Sequence, residues 1–221
     1  MYALSTYISA VPRHSYHHGD LRRALLDVSI ALLRKRGPAG LTLRAVARAA
    51  GVSQTAPYRH FPDRTALVAA VAEDGFNRLR ERMFAAVTAP SPKGSTERAR
   101  LQRLAIEYLR FGIEHPAEYR IMFGGELTGA AKTLAPSFHE ARGSVFDLLR
   151  IGIERLQQGG MVRKGDAAAM ALSAWALMHG LVMLTLDGQV ARGGDMKPEE
   201  LAETATNLMM FGMNAEAKRK R

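Results

Sequence analysis

The sequence predicts an all-α protein, and three observations lead there. Apolar residues recur at the three-to-four spacing of a helix through nearly every segment, no run alternates with the two-residue period of a strand, and glycine, proline and capping residues divide the chain at intervals of helix length. With 221 residues, 47% of them hydrophobic, there is enough material for a sizeable core. Cysteine is absent, which excludes disulfides, thiolate metal sites and cysteine nucleophiles and fits a reducing, cytoplasmic setting.

The elements follow in order. Residues 1–15 carry no basic n-region, and their apolar stretch is broken by Pro12, so they read as a flexible arm rather than a signal peptide. From Asp20 to Arg36, Leu21, Ala24, Leu25, Val28 and Leu32 share one face; Asp20 would cap this first helix and Gly37-Pro38 stop it. In the second, Leu43, Val46, Ala47 and Ala50 face a core while Arg44 and Arg48 lie one turn apart on the other side, and Gly51 ends it. Ser53 is placed to cap a third helix from Gln54, with Pro57 tolerated in its first turn or so. Val52 and Phe61 would anchor that helix and leave Gln54, Thr55, Pro57, Tyr58, Arg59 and His60 largely outside. Two helices about a glycine turn within about twenty residues match helix-turn-helix spacing. Asp63 would cap a long helix to about Ala89, with Arg64 in a first turn where a cation is unfavourable unless an external anion accounts for it.

Charge is uneven along the chain. Residues 1–89 hold 13 Lys/Arg against 6 Asp/Glu, residues 90–217 hold 14 against 15, and Lys218 to Arg221 are all basic. A cationic N-terminal third implies a polyanionic partner or merely a soluble basic surface, and charge alone does not decide. The third helix does more: seven residues cannot sustain an exposed helix alone. They make sense as a contact face, Gln54 and Thr55 reaching base edges while Tyr58, Arg59 and His60 bind phosphates.

The run LTLRAVARAAGVSQTAPYRHFPDRTAL resembles the DNA-binding segment of TetR/AcrR-type transcriptional regulators, over residues 16 to about 75. It keeps the threonine, the Ala-rich helix, Gly-Val-Ser, the aromatic, the His-Phe pair and the basic residue opening the next helix. It departs in having Arg64 where Lys is common and Thr65 where Glu is common. The resemblance implies phosphate contacts from Thr42, Tyr58, His60 and Arg64 and base-reading positions at Gln54, Thr55, Ala56 and Pro57. Arg44 and Arg59 complete the candidate DNA-binding set. It further implies a helix-turn-helix domain over residues 16–62, a connecting helix over 63–89, a helical ligand-binding and dimerisation domain over 90–217, and a basic tail over 218–221.

In that second domain, residues 90–94 (PSPKG) mark a break before a helix from about Glu97 to Glu114, with Leu101, Leu104, Ala105, Tyr108, Phe111 and Gly112 along one side. His115-Pro116 ends it. A short helix supplies Tyr119, Met122 and Phe123, and a longer one to about Gln158 supplies Phe138, Phe146 and Leu149. This aromatic concentration predicts an apolar pocket. The candidate ligand-binding residues are Tyr108, Phe111, Tyr119, Met122, Phe123, Phe138, Phe146, Trp175 and His179, although for any single aromatic ordinary core packing is the commoner role. Residues 167–186 carry no charge and are long enough to cross a bilayer. Their alanine content, His179, and Asp166 and Asp187 at the ends argue instead for a buried helix shared between core and dimer interface, with no membrane partner. Trp175, His179 and Gly180 form a W-x-x-x-H-G pattern that resembles the WHG-type TetR subgroup. The last helix, from Pro198 to about Ala215, presents Leu201, Ala205, Leu208, Met209 and Gly212, and would join its predecessor in a four-helix bundle with a second copy.

Catalysis finds no constellation: there is no glycine-rich phosphate loop, no G-x-S-x-G elbow and no Glu-x-x-His pair, and His139-Glu140 lacks a second histidine because position 143 is glycine. No enzyme activity and no cofactor are expected. His14, His17 and His18 have only Asp20 nearby as a carboxylate and make a weak metal set. A nonspecific architectural DNA binder would explain the charge but not the near-neutral second domain. The expected partners are double-stranded DNA, a small-molecule effector and a second copy of the chain. The expected function is that of a cytoplasmic, sequence-specific regulator, by resemblance a repressor, released from a palindromic operator by a small apolar or amphipathic ligand.

Overall fold

Helix boundaries fall where capping groups stand. The structure, a computed structural model, describes residues 20–90, 96–190 and 197–213, and these form eight α-helices with no strand among them. The N-terminal arm with His14, His17 and His18, and the basic tail, lie outside the described residues. Helix α1 (Asp20–Arg36) is closed by Gly37, whose φ of 67° suits glycine. Asp20 is its first helical residue rather than a preceding cap. Its buried arc is wider than one stripe and is carried by Leu25, Leu26, Ser29, Ile30, Leu32 and Leu33, because it packs against three helices, α2 (Leu43–Ala50), α3 (Arg64–Thr88) and α5 (Pro116–Phe123). Leu21 and Val28 pack only partly against the core.

Thr42 caps α2 by accepting the Ala45 N–H at 3.2 Å. Gly51, at φ 69°, ends it with paired bonds from Gly51 N to Arg48 O and from Val52 N to Ala47 O. The third element corrects the expectation of an α-helix from Gln54. It is a series of tight turns whose regular part is a 3-10 segment, Pro57–Arg59, and Ser53 bonds Thr55 Oγ1 instead of capping. Its backbone bonds from Ala56 N to Ser53 O, Tyr58 N to Thr55 O, Arg59 N to Ala56 O and His60 N to Pro57 O are all three-residue closures. The cause is Pro57: at the position where the first α-type bond would reach back to Ser53 O, it has no N–H and its ring crowds that carbonyl. Pro57 is also buried rather than outside, packed inward with Phe61.

Asp63 caps α3, accepting the Ala66 N–H at 2.8 Å. This helix runs on from the N-terminal unit and packs against α4 (Glu97–Glu114), α5 and α6 (Pro136–Gln158). It approaches α5 closely enough that a Cβ on Gly75 would lie 2.5 Å from Met122 Sδ. A nine-residue 3-10 stretch, Gly125–Thr133, joins α5 to α6 and has no counterpart in the sequence expectation. Asp166 caps α7 (Ala167–Leu186), and α8 (Pro198–Gly212) lies along α4.

Helix α7 is apolar all round and only in part enclosed by its own chain. Ala171, Ala174, Met178 and Val182 form its buried line, whereas Leu172 is 53% exposed and Leu184 49%. On α8, Leu201, Ala202, Ala205 and Thr206 are buried, while Leu208 is 64% exposed and Phe211 82%. The two helices therefore share a large uncovered apolar face.

Candidate functional site

The N-terminal unit presents one cationic face. Arg44 and Arg48 stand on the exposed side of α2, and Gln54, Thr55, Tyr58 and Arg59 are exposed across the turn, with Ala56 and His60 half-buried. Thr42 is exposed at the cap, its hydroxyl already accepting from Ala45. Arg44, Arg48 and Arg59 have no carboxylate partner among the described residues. Phe61 underlies this face, 1% exposed, with the Arg22 guanidinium 5.5 Å above its ring. Arg22 carried no sequence signal beyond its place on α1.

Arg64 differs from its expected role. Its guanidinium donates to Leu41 O at 3.1 Å, to Pro38 O at 2.8 Å and to Glu126 Oε2 at 3.0 Å. The cation in the first turn of α3 is thus explained from inside the chain, and it ties the turn after α1 to the 3-10 stretch after α5. A second tie lies close by. Glu118 of α5 is 1% exposed and accepts from Arg34 of α1 at 2.5 and 2.9 Å and from Arg78 of α3 at 3.4 Å. Burial works against its charged form, but the Arg34 hydrogen bonds, with the fields of Arg34 and Arg78, hold its carboxyl below the usual range. Its Oε2 has no hydrogen-bond partner among the described residues.

Beyond α5 lie two adjoining cavities. The larger, about 320 Å³, runs between α3, α4, α6, α7 and α8 and is walled by Phe76, Met83, Leu101, Leu104, Tyr108, Phe123, Phe146, Leu149, Trp175 and Met178. The second, about 270 Å³, lies against α5 and the 3-10 stretch and is walled by Met122, Phe123, Phe138, Trp175 and His179. Both share His139 and Arg142 of α6. Of the residues expected at a pocket, Tyr108, Met122, Phe123, Phe138, Phe146, Trp175 and His179 line one or both, whereas Phe111 and Tyr119 line neither. Phe111 is wholly buried between the His115 ring and the Arg78 guanidinium.

Tyr119 sits one layer behind the wall in a hydrogen-bonded relay. Trp175 Nε1 donates to Tyr108 Oη at 2.8 Å, the two tyrosine hydroxyls lie 2.8 Å apart, and Tyr119 Oη is 2.6 Å from His179 Nδ1. The direction that leaves no hydroxyl hydrogen without an acceptor runs Trp175 to Tyr108 to Tyr119 to His179, with Nδ1 accepting. Burial lowers the pKa of His179 and raises those of both tyrosines, so every member is neutral near pH 7. Among the pocket residues that escaped sequence reasoning are His139 and Arg142, exposed on α6 and indistinguishable from a solvated face, and Thr206, a buried hydroxyl without a partner among the described residues.

A cationic helix-turn-helix head fused to an all-helical body with an internal apolar chamber is the architecture of a DNA-binding regulator. Residues 25–71 match the family described as bacterial regulatory proteins of the tetR family, and residues 101–209 match the tetracyclin repressor-like C-terminal domain. A structure of a protein of unknown function from Rhodococcus sp. RHA1 is 36% identical, with a TM-score of 0.77 over 90% of this chain and 98% of that one. The nucleoid occlusion factor SlmA of Marinomonas sp. (strain MWYL1) is 22% identical over 86% of this chain and 96% of its own. The structure of AibR in complex with isovaleryl coenzyme A and operator DNA shares the fold at a TM-score of 0.59 and 18% identity, over 85% of this chain and 96% of that one. The chain belongs to the TetR family of transcriptional regulators.

Proposed function

We propose that this regulator is a homodimeric repressor that binds a palindromic operator and leaves it when a small apolar or amphipathic molecule enters the chamber between α3 and α8. The observation that carries this reading is the position of α5, whose residues serve both ends of the molecule. Met122 and Phe123 wall the cavities, and Glu118, one turn away, holds Arg34 of the head. A ligand that favours a different seat for α5 thereby favours a different placement of the head, and its differential affinity sets how far operator binding weakens.

DNA would be met by Gln54, Thr55 and Ala56 at base edges and by Thr42, Arg44, Tyr58, Arg59 and His60 at the backbone, with the buried Pro57 shaping the segment from beneath. Arg64, already triply bonded, is assigned here to fixing the head rather than to gripping phosphate. One such short segment reads few base pairs, so two copies are needed. The uncovered apolar face of α7 and α8 is where the second would pair, in the cytoplasm where the target lies. AibR, by its structure, binds both an acyl thioester of coenzyme A and operator DNA, which accords with a chamber and a head acting in one chain.

The test is selection of duplexes from a random pool by the purified protein, followed by salt titration of the winner against a scrambled control. An enriched palindrome with a large specific-to-nonspecific ratio is expected. Equal, salt-sensitive binding to every duplex would overturn the reading.

A further inference from the structure

We infer that the molecule admitted to the chamber is an anionic-headed amphiphile, its head held by Arg142 with His139 and its apolar tail laid along α4 and α6 toward Leu101 and Leu149. This rests on the ligand-release reading above and narrows it to one chemistry.

The cavity has two unlike ends. Leu101 and Leu149 lie together where the start of α4 passes the later turns of α6, while Tyr108, Phe123, His139 and Arg142 mark the other end. Along α6 the step from Arg142 to Leu149 is about 10 Å, at about 1.5 Å per residue. A molecule filling this space needs an extended apolar body and a different group at the Arg142 end.

That group must match what is free to bind it. The relay beside it offers no more than the His179 Nε2–H toward the second cavity, because the Trp175 N–H and both tyrosine hydroxyls are spent on one another and on His179 Nδ1. Arg142 and His139, one turn apart, are the unspent donors that line both cavities, whereas His179 lines only the second and the Thr206 hydroxyl only the first. Other arginines of the body, Arg100, Arg110, Arg120 and Arg150, rest on carboxylates, whereas Arg142 has no carboxylate partner among the described residues. Nor does any Asp or Glu among them line either chamber. A guanidinium at the edge of a largely apolar space, with no counter-ion supplied by the protein, favours an anion that can accept its forked donors. A cationic amphiphile meets only like charge there, and a neutral one gains nothing from the Arg142 guanidinium, which stays with water.

The head can be a carboxylate or a larger phosphate-bearing group reaching into the second chamber, and the experiment separates the two. The full-length protein is titrated calorimetrically, below each critical micelle concentration, with four probes sharing one tail: decanoate, decanoyl coenzyme A, decanol and decyltrimethylammonium. At least one anionic probe is expected to bind about tenfold or more tightly than decanol, and the ammonium more weakly still. Decanoate leading identifies a carboxylate head, and the thioester leading identifies a phosphate-bearing one. Arg142→Gln, at an exposed position, is expected to remove about tenfold of the anion's affinity and leave decanol unchanged. Decanol binding as well as both anions, or an anion preference surviving in Arg142→Gln, would overturn the inference while leaving ligand release intact. Failure of all four probes to bind would overturn both.

Discussion

At the scale of single residues, the head divides into groups that shape it and groups free to meet DNA. Tyr58 and His60 project from a segment whose fold is set by Pro57 and Phe61, so removing them changes the surface and not the frame. Tyr58→Ala with His60→Ala is expected to weaken all duplexes together by about tenfold, while Gln54→Ala alters which sequence is preferred; competition binding against a duplex panel checks both. Wild-type affinity in the double variant would refute the docking face. Trp175 poses a cleaner question, because its N–H begins the relay. Trp175→Phe leaves Tyr108 without its donor and is expected to cost about 1–2 kcal/mol. At this chain length that is a fall of a few degrees in Tm by calorimetry. An unchanged Tm would mean that the relay does not stabilise the fold. Arg64 shows where residue-scale reading of the sequence fell short. A cation at a helix N-terminus invited an external anion, yet its partners Leu41 O, Pro38 O and Glu126 are distant in sequence, and nothing local announces them.

At the scale of elements, the end of α2, the start of α3 and the break between α4 and α5 were legible because Gly51, Asp63 and Pro116 act on the backbone within one turn of themselves. The third element was misread as α-helical, since Pro57 was judged by its tolerance near a helix start and not by the bond to Ser53 that it removes. The 3-10 stretch Gly125–Thr133 was missed because it lacks periodicity of either kind. Most of the apolar wall was legible through its aromatics, but Arg142 and His139 were not, since an exposed charge on a helix reads as solvated until a cavity is found beneath it. The uncovered face of α7 and α8 has the clearest consequence at this scale. Leu172→Glu with Phe211→Glu places two charges in a surface that is apolar and open in the single chain, so the monomer should fold with unchanged helicity. If the proposed dimer pairs through this face, sedimentation is expected to show a dimer for the wild type and a monomer for the double variant, with loss of operator binding by more than about tenfold. A dimer persisting in the double variant would place the interface elsewhere.

At the scale of the whole molecule, the head and the body are joined by α3 and by ion pairs that cross between them. The Glu118 carboxyl is held below the usual range, so its contribution is complete above that range and is lost as pH falls through the lowered folded value. Glu118→Gln is expected to destabilise by about 1–2 kcal/mol at neutral pH, the modest value reflecting the half-exposed Arg34. The deficit should shrink as the wild type is acidified, and thermal melts from pH 7 downward would show it. A deficit constant with pH would mean that packing, not charge, is what the variant loses.

The tight winding around Pro57 carries an evolutionary consequence. Its shape is dictated by a missing amide hydrogen and by two inward-facing residues, Pro57 and Phe61, rather than by the side chains displayed outward. The exposed side chains at 54, 58 and 59 are therefore only weakly tied to folding. Substitutions there face selection for what they recognise and almost none for stability, so a lineage can retarget such a protein one letter at a time while the scaffold beneath stays the same.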